Sequence, residues 1–224
     1  MKKTFGIAAL ALVAVAALGL WAASPRSQPG QSLLPDMAAQ AQETAATEPV
    51  IVPEMVIGNP DAKVTLTEYA SYTCPHCANF HEAVFKPLKT DYIDTGKVRF
   101  VFREVYFDRY GLWAAMVARC GGEMRYFGIS GILMETQREW AASEDSAVVV
   151  ENLKKIGRTA GMDDATLTRC LEDGEMAQAM VAAFQTNMEA DGVEGTPTLF
   201  VNGTKYANMS YADLKAILDA ELAK

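Results

Sequence analysis

Cys74 and Cys77 stand two residues apart in the stretch YASYTCPHCANF, with Pro75 and His76 between them. Thiols at that spacing can hold a metal, lock a fold or exchange electrons with other thiols. A structural zinc site needs four ligands, commonly from two such knuckles. The remaining candidates are Cys120, Cys170, His76 and His81, and they form no second knuckle. No metal is therefore expected.

Exchange chemistry requires a thiolate near neutral pH. Pro75 suits the first turn of a helix, where its missing N–H costs nothing. A helix start offers bare N–H groups and the positive end of the macrodipole. Cys74 falls at that start, and His76 adds a further donor or a positive charge beside it. Cys77, one turn in, is expected to be buried and less acidic. Cys74 is then the attacked and leaving sulfur, and Cys77 the resolving one. Their disulfide is the whole redox centre, with no organic cofactor. A thiol pKa lowered from about 8.5 to about 4 leaves three units below pH 7, which is about 4 kcal/mol, or roughly 90 mV toward oxidising power.

Two further positions join this pair. A proline opening a strand removes a ladder donor, and Pro197 does so in GTPTLFVNG. A cis Thr196–Pro197 bond beside the cysteines would explain it and would leave the Thr196 backbone free to pair with an extended peptide; the alternative is an ordinary trans proline at an edge strand. Glu68 lies six residues before Cys74, on the apolar side of its strand with Leu66 and Ala70. A carboxylate there is costly unless it is functional or paired. It reads as a water-linked proton acceptor for Cys77, or else as a paired core carboxylate. His81 reads as a surface helix residue.

The elements that position these groups follow from hydrophobic periodicity. Strands are expected at 50–57, 63–70 and 98–105. The C-x-x-C helix runs through PHCANFHEAVFKPLKTDYI, carries Phe80, Val84, Leu88 and Tyr92 on one stripe, and should kink at Pro87. Residues 108–191 hold no convincing strand and read as five helices broken at glycines, with 128–133 weakened by GIS and GIL. A hairpin turning at Asn202-Gly203 follows, then a helix capped by Ser210. The pattern is α/β, with a helical block splitting one β/α unit.

The chain has 224 residues, and acidic side chains outnumber basic ones 28 to 20. That balance argues against nucleic acid as a partner. Residues 1–24 show Lys2 and Lys3, an apolar run and the small residues Ala22, Ala23 and Ser24. They match an export signal, cleaved or kept as an N-terminal anchor. Residues 25–49 read as a linker poor in buriable side chains, with Leu33, Leu34 and Met37 at the spacing of a short helix. Outside the cytoplasm disulfides persist. An even cysteine count then favours a Cys120–Cys170 bridge over two separate buried thiols. Closing that loop contributes about 3–4 kcal/mol.

Together TEYASYTCPHC, FREV and GTPTLFVNG make residues 50–224 resemble the DsbA family of bacterial thiol–disulfide oxidoreductases. REVYFDRYGLWAAMVARC with Cys120 and Cys170 resembles its alphaproteobacterial branch, which carries a second disulfide. The resemblance implies a thioredoxin-like fold with an inserted all-helical subdomain. It implies that Cys74 is the nucleophile, Cys77 its partner, Pro197 the cis-proline and Glu68 the buried acid. It implies a monomeric periplasmic oxidase that gives its disulfide to reduced or unfolded exported proteins and is reoxidised by a quinone-linked, DsbB-like membrane oxidant. Thr196 departs from the valine that the best-known oxidases carry before the cis-proline. That leaves an isomerase or reductase of the same fold as the second reading, and a metal-binding or chaperone module as the third.

Overall fold

The computed structural model describes residues 50–224. The export signal read at 1–24 and the linker read at 25–49 lie outside them. Among the described residues no helix is long and apolar enough to cross a membrane.

Five strands form one mixed sheet in the order β1-β3-β2-β4-β5. β1 is Met55–Gly58, β2 Val64–Ala70, β3 Val98–Glu104, β4 Thr198–Val201 and β5 Thr204–Ala207. The β2–β3 pair is parallel; β1–β3, β2–β4 and β4–β5 are antiparallel. The first strand is shorter than the alternation in 50–57 predicts: Pro53 precedes it, and pairing with β3 begins at Met55. The β4–β5 turn places Asn202 at φ 47° and Gly203 at φ 83°, the left-handed pair that a two-residue hairpin requires.

Val64, Leu66 and Ala70 of β2 are fully buried on one face. They belong to a core with Phe80, Val84, Leu88 and Tyr92 from the helical run at 75–93, and with Leu214 and Leu218 from α9 (Tyr211–Leu222). That run begins as α1 (Pro75–Phe80). It then widens into π-type turns at His81–Phe85 and Lys89–Ile93 on either side of α2 (Lys86–Leu88). Pro87 lacks the N–H that would reach back to Ala83, and with π-type turns on either side the run continues through it without a break.

Six helices occupy the span between β3 and β4: α3 (Arg109–Cys120), α4 (Glu123–Glu135), α5 (Gln137–Trp140), α6 (Ser146–Thr159), α7 (Asp164–Glu172) and α8 (Gly174–Ala190). One expectation is met and one needs correction. Residues 128–133, read as helix though weakened by GIS and GIL, are helical without interruption, because Ile129 and Leu133 are buried and tertiary packing outweighs the glycine propensity. The stretch 122–140, read as one helix, breaks at Thr136, whose hydroxyl donates to the Ile132 carbonyl at 2.7 Å. A side chain bonding back to its own turn competes with the helical ladder and bends the chain.

α8 covers the other sheet face, where Phe184 and Met188 pack against Tyr69, Val105 and Phe200. Tyr69 donates to Asp191 at 2.6 Å, and Arg103 pairs with the same carboxylate at 2.8 Å. Cys120 and Cys170 are disulfide-bonded, with Cα atoms 5.9 Å apart, joining α3 to α7. A buried ion pair, Glu104–Arg119, ties the end of β3 to α3. Its side chains are 4% and 11% exposed, and the Tyr126 hydroxyl donates to Glu104 at 2.7 Å.

Candidate active site

The loop 71–74 carries the chain from the end of β2 into α1. Cys74 is the N-cap residue with extended backbone (φ −86°, ψ 118°), and Pro75 occupies the first helical position. Cys74 is partly exposed and Cys77 fully buried. The two sulfurs are unlinked in this structure.

Their acidities diverge as a consequence. The Cys74 thiol is lowered to about 5: a hydrogen bond from Cys77 does most, and the Thr196 hydroxyl and the backbone N–H groups of Cys77 and His76 add to it against the cost of burial. Cys77 is pushed far up by the same hydrogen bond, by burial and by Glu68. His76 acts on the sulfur through its backbone N–H; its side chain is exposed. The spacing predicted this asymmetry between the sulfurs.

The Thr196–Pro197 peptide bond is cis. Cys74 Sγ lies 3.7 Å from the Thr196 carbonyl oxygen. Thr196 Oγ1 is buried and has no partner in hydrogen-bond geometry, yet it stands close enough to favour the charged form of both sulfurs. A hydroxyl rotor that turns toward sulfur once charge appears reconciles the two.

Glu68 is 3% exposed, opposite Phe102 of β3 and Leu199 of β4. Among the described residues no hydrogen bond or ion pair holds its carboxyl, so the paired-carboxylate reading does not apply. Burial raises it to about 8. It lines a cavity of about 10 Å³ with His81 and Ser130, close to the space one water occupies. His81 corrects its expectation. Its side chain is 13% exposed and stacks on Phe85 with ring centroids 5.0 Å apart. Burial lowers its pKa. The helical face that carries it is covered by α4, where Gly131 sits opposite the ring.

Sequence reasoning missed the residues that hold the loop. Gln137 is 6% exposed, and its Nε2 donates to the carbonyls of Tyr72 at 2.8 Å and Cys74 at 3.0 Å. The Tyr72 hydroxyl is bonded to Ser130 at 2.5 Å and to Tyr126 at 3.1 Å. Thr73 donates to Asp108, the N-cap of α3, at 2.7 Å. No local pattern flags a glutamine that reaches its target 63 residues away.

Comparison with known proteins agrees with this geometry. Residues 51–220 match the family described as Thioredoxin. A putative protein-disulfide oxidoreductase of Rickettsia bellii is 35% identical over 167 residues, covering 74% of this chain and 63% of that protein. The chain thus spans less than two thirds of the length of that relative. Disulfide bond formation protein D of Bacillus subtilis is 26% identical over 198 residues, covering 82% of this chain and 83% of that one. Among solved structures, alpha-DsbA1 of Wolbachia pipientis superposes with a TM-score of 0.72 at 24% identity, covering 78% of this chain and 93% of that one; that likeness is one of fold.

Proposed function

The chain belongs to the thioredoxin family, in the DsbA-like form with inserted helices, and from that premise we propose that it is a thiol–disulfide oxidase of exported proteins. The observation that carries the reading is the contrast between its two sulfurs: Cys74 is accessible and acidic, with a pKa lowered to about 5, while Cys77 is buried and strongly basic.

In the oxidised protein a client thiolate attacks Cys74 Sγ and breaks the Cys74–Cys77 bond. Cys77 leaves and takes up a proton. Glu68, neutral up to about pH 8 and near enough to act on the Cys77 sulfur, is the proposed source of that proton, which it regains from solvent. A second client thiolate then attacks the client sulfur of the mixed disulfide, and Cys74 leaves as a thiolate. The client loses two electrons and the pair gains them. A low leaving-group pKa speeds this last step and favours the reduced protein at equilibrium. The exchange uses no metal and no organic cofactor. An oxidant of the DsbB-like, quinone-linked class returns the pair to the disulfide. The apolar segment with its two lysines at 1–24 supports export to the periplasm.

Thr196 supports a second reading. Its buried hydroxyl beside the sulfurs is the feature associated above with isomerases. Equilibration with glutathione, followed by refolding of a reduced and of a scrambled substrate, separates the two. An oxidase converts the reduced substrate and traps a mixed disulfide at Cys74 in the Cys77→Ala variant. A protein that rescues only the scrambled substrate removes the oxidase reading.

A further inference from the structure

The loop 71–74 owes its position mainly to the inserted helices. The Tyr72 hydroxyl is fixed by Ser130 and Tyr126 of α4, and Thr73 by Asp108 at the start of α3. Gln137 completes the hold, because one nitrogen spends both its hydrogens on the carbonyls of Tyr72 and Cys74. The Cys74 carbonyl is also the N-cap acceptor for the N–H groups of Cys77 at 3.1 Å and Ala78 at 3.2 Å. The amide therefore acts on the atom that joins the loop to the helix. It reaches that atom only because the chain breaks at Thr136 and starts a new turn at Gln137.

The groups acting on the Cys74 sulfur are the Cys77 thiol, the Thr196 hydroxyl and the N–H groups of Cys77 and His76. All are hydrogen-bond donors whose effect falls steeply with misalignment. A sulfur stabilised in this way depends on where its loop is held.

We infer that Gln137 is a positioning residue of the redox site: by clamping the Tyr72 and Cys74 carbonyls it aims the Cys74 sulfur at its donors, so that the inserted helices set how firmly the thiolate is held. The inference rests on the oxidoreductase reading of the Cys74–Cys77 pair.

The test uses Gln137→Met, which keeps length and removes the donors, and Gln137→Leu, which removes them with a shorter, branched side chain and adds no charge. Thiolate absorbance of the reduced proteins is titrated, and the couple is equilibrated with glutathione. Both variants are expected to raise the Cys74 midpoint by about one unit, and to shift the equilibrium with glutathione up to about tenfold toward the disulfide. Variants that melt at lower temperature yet keep the wild-type midpoint and equilibrium reduce Gln137 to a packing residue and overturn the inference.

The wild-type protein supplies a measurement that does not depend on how the variants fold. The side-chain NH₂ resonances of Gln137 should be separate and protected, and should move as Cys74 ionises. Averaged, rapidly exchanging resonances that ignore Cys74 overturn the inference as well. A wild type that does not oxidise dithiols removes the underlying reading of the pair, whereas an active wild type with indifferent variants removes only the role of Gln137.

Discussion

Cys74 Sγ lies 3.7 Å from the carbonyl oxygen of Thr196, 122 residues away in sequence. The contact joins the start of α1 to the residue before the cis-proline. Sheet order makes it: β2, which feeds the cysteine loop, pairs with β4, which Pro197 precedes. The sulfur made acidic chiefly by the Cys77 hydrogen bond is thereby the one that an extended chain lying along Thr196 would meet first.

The first prediction concerns the protons that accompany reduction. Between about pH 5, where Cys74 ionises, and the far higher pKa of Cys77, two electrons bring one proton. The potential should then fall by roughly 30 mV per pH unit, and by roughly 60 mV per unit below the Cys74 midpoint. Iodoacetamide at pH 6 should modify Cys74 and spare the buried Cys77. A potential that keeps the steeper slope up to pH 8 would show a protonated Cys74 and contradict the acidic-thiolate account.

The second disulfide should stabilise the protein without tuning the pair. Replacing Cys120 and Cys170 together by alanine opens a loop with a separation of 50 residues and should cost about 3–4 kcal/mol in urea unfolding. The Cys74 titration should stay in place. A moved midpoint would tie the bridge to the chemistry.

Much of this site is readable in the chain because its determinants are local. The C-x-x-C spacing with Pro75 marks a helix start, and the parity of Glu68 with Leu66 and Ala70 places it in the core. The residues that were misread or missed depend on packing between distant elements. His81 looks exposed on its own helix and is covered by α4. Gly131 looks like a breaker, yet sits inside α4, where a Cβ in its place would touch the His81 ring. Gln137 is one polar residue among many in ETQREW, and only the break at Thr136 turns it inward. In each case tertiary contact outweighs local propensity.

The Glu104–Arg119 pair should behave as a buried ion pair. Arg119→Met leaves a carboxylate in a site 4% exposed and should cost about 3–5 kcal/mol. Adding Glu104→Gln removes the stranded charge and should recover most of that loss, as a thermal double-mutant cycle would show. Equal losses in the single and double variants would mean that the cost lies in packing alone.

Glu68 supplies the last prediction, best measured on the oxidised protein, where neither cysteine titrates. In the unfolded chain its carboxyl ionises near the ordinary value of 4.5, whereas in the folded protein it holds its proton to about 8. Between those two values the folded state binds the extra proton, so stability declines as pH rises. The contribution is complete below about 4.5 and is lost as pH climbs through 8. Glu68→Gln stays neutral throughout. Its advantage over wild type in urea unfolding should be near zero at pH 4.5 and grow to about 2–4 kcal/mol above pH 8. The same variant should slow attack by client thiols on the oxidised pair, because the departing Cys77 then loses its proton donor. A stability difference that stays flat across this window would show that the carboxyl is already ionised at neutral pH, and the proton route through Glu68 would fall with it.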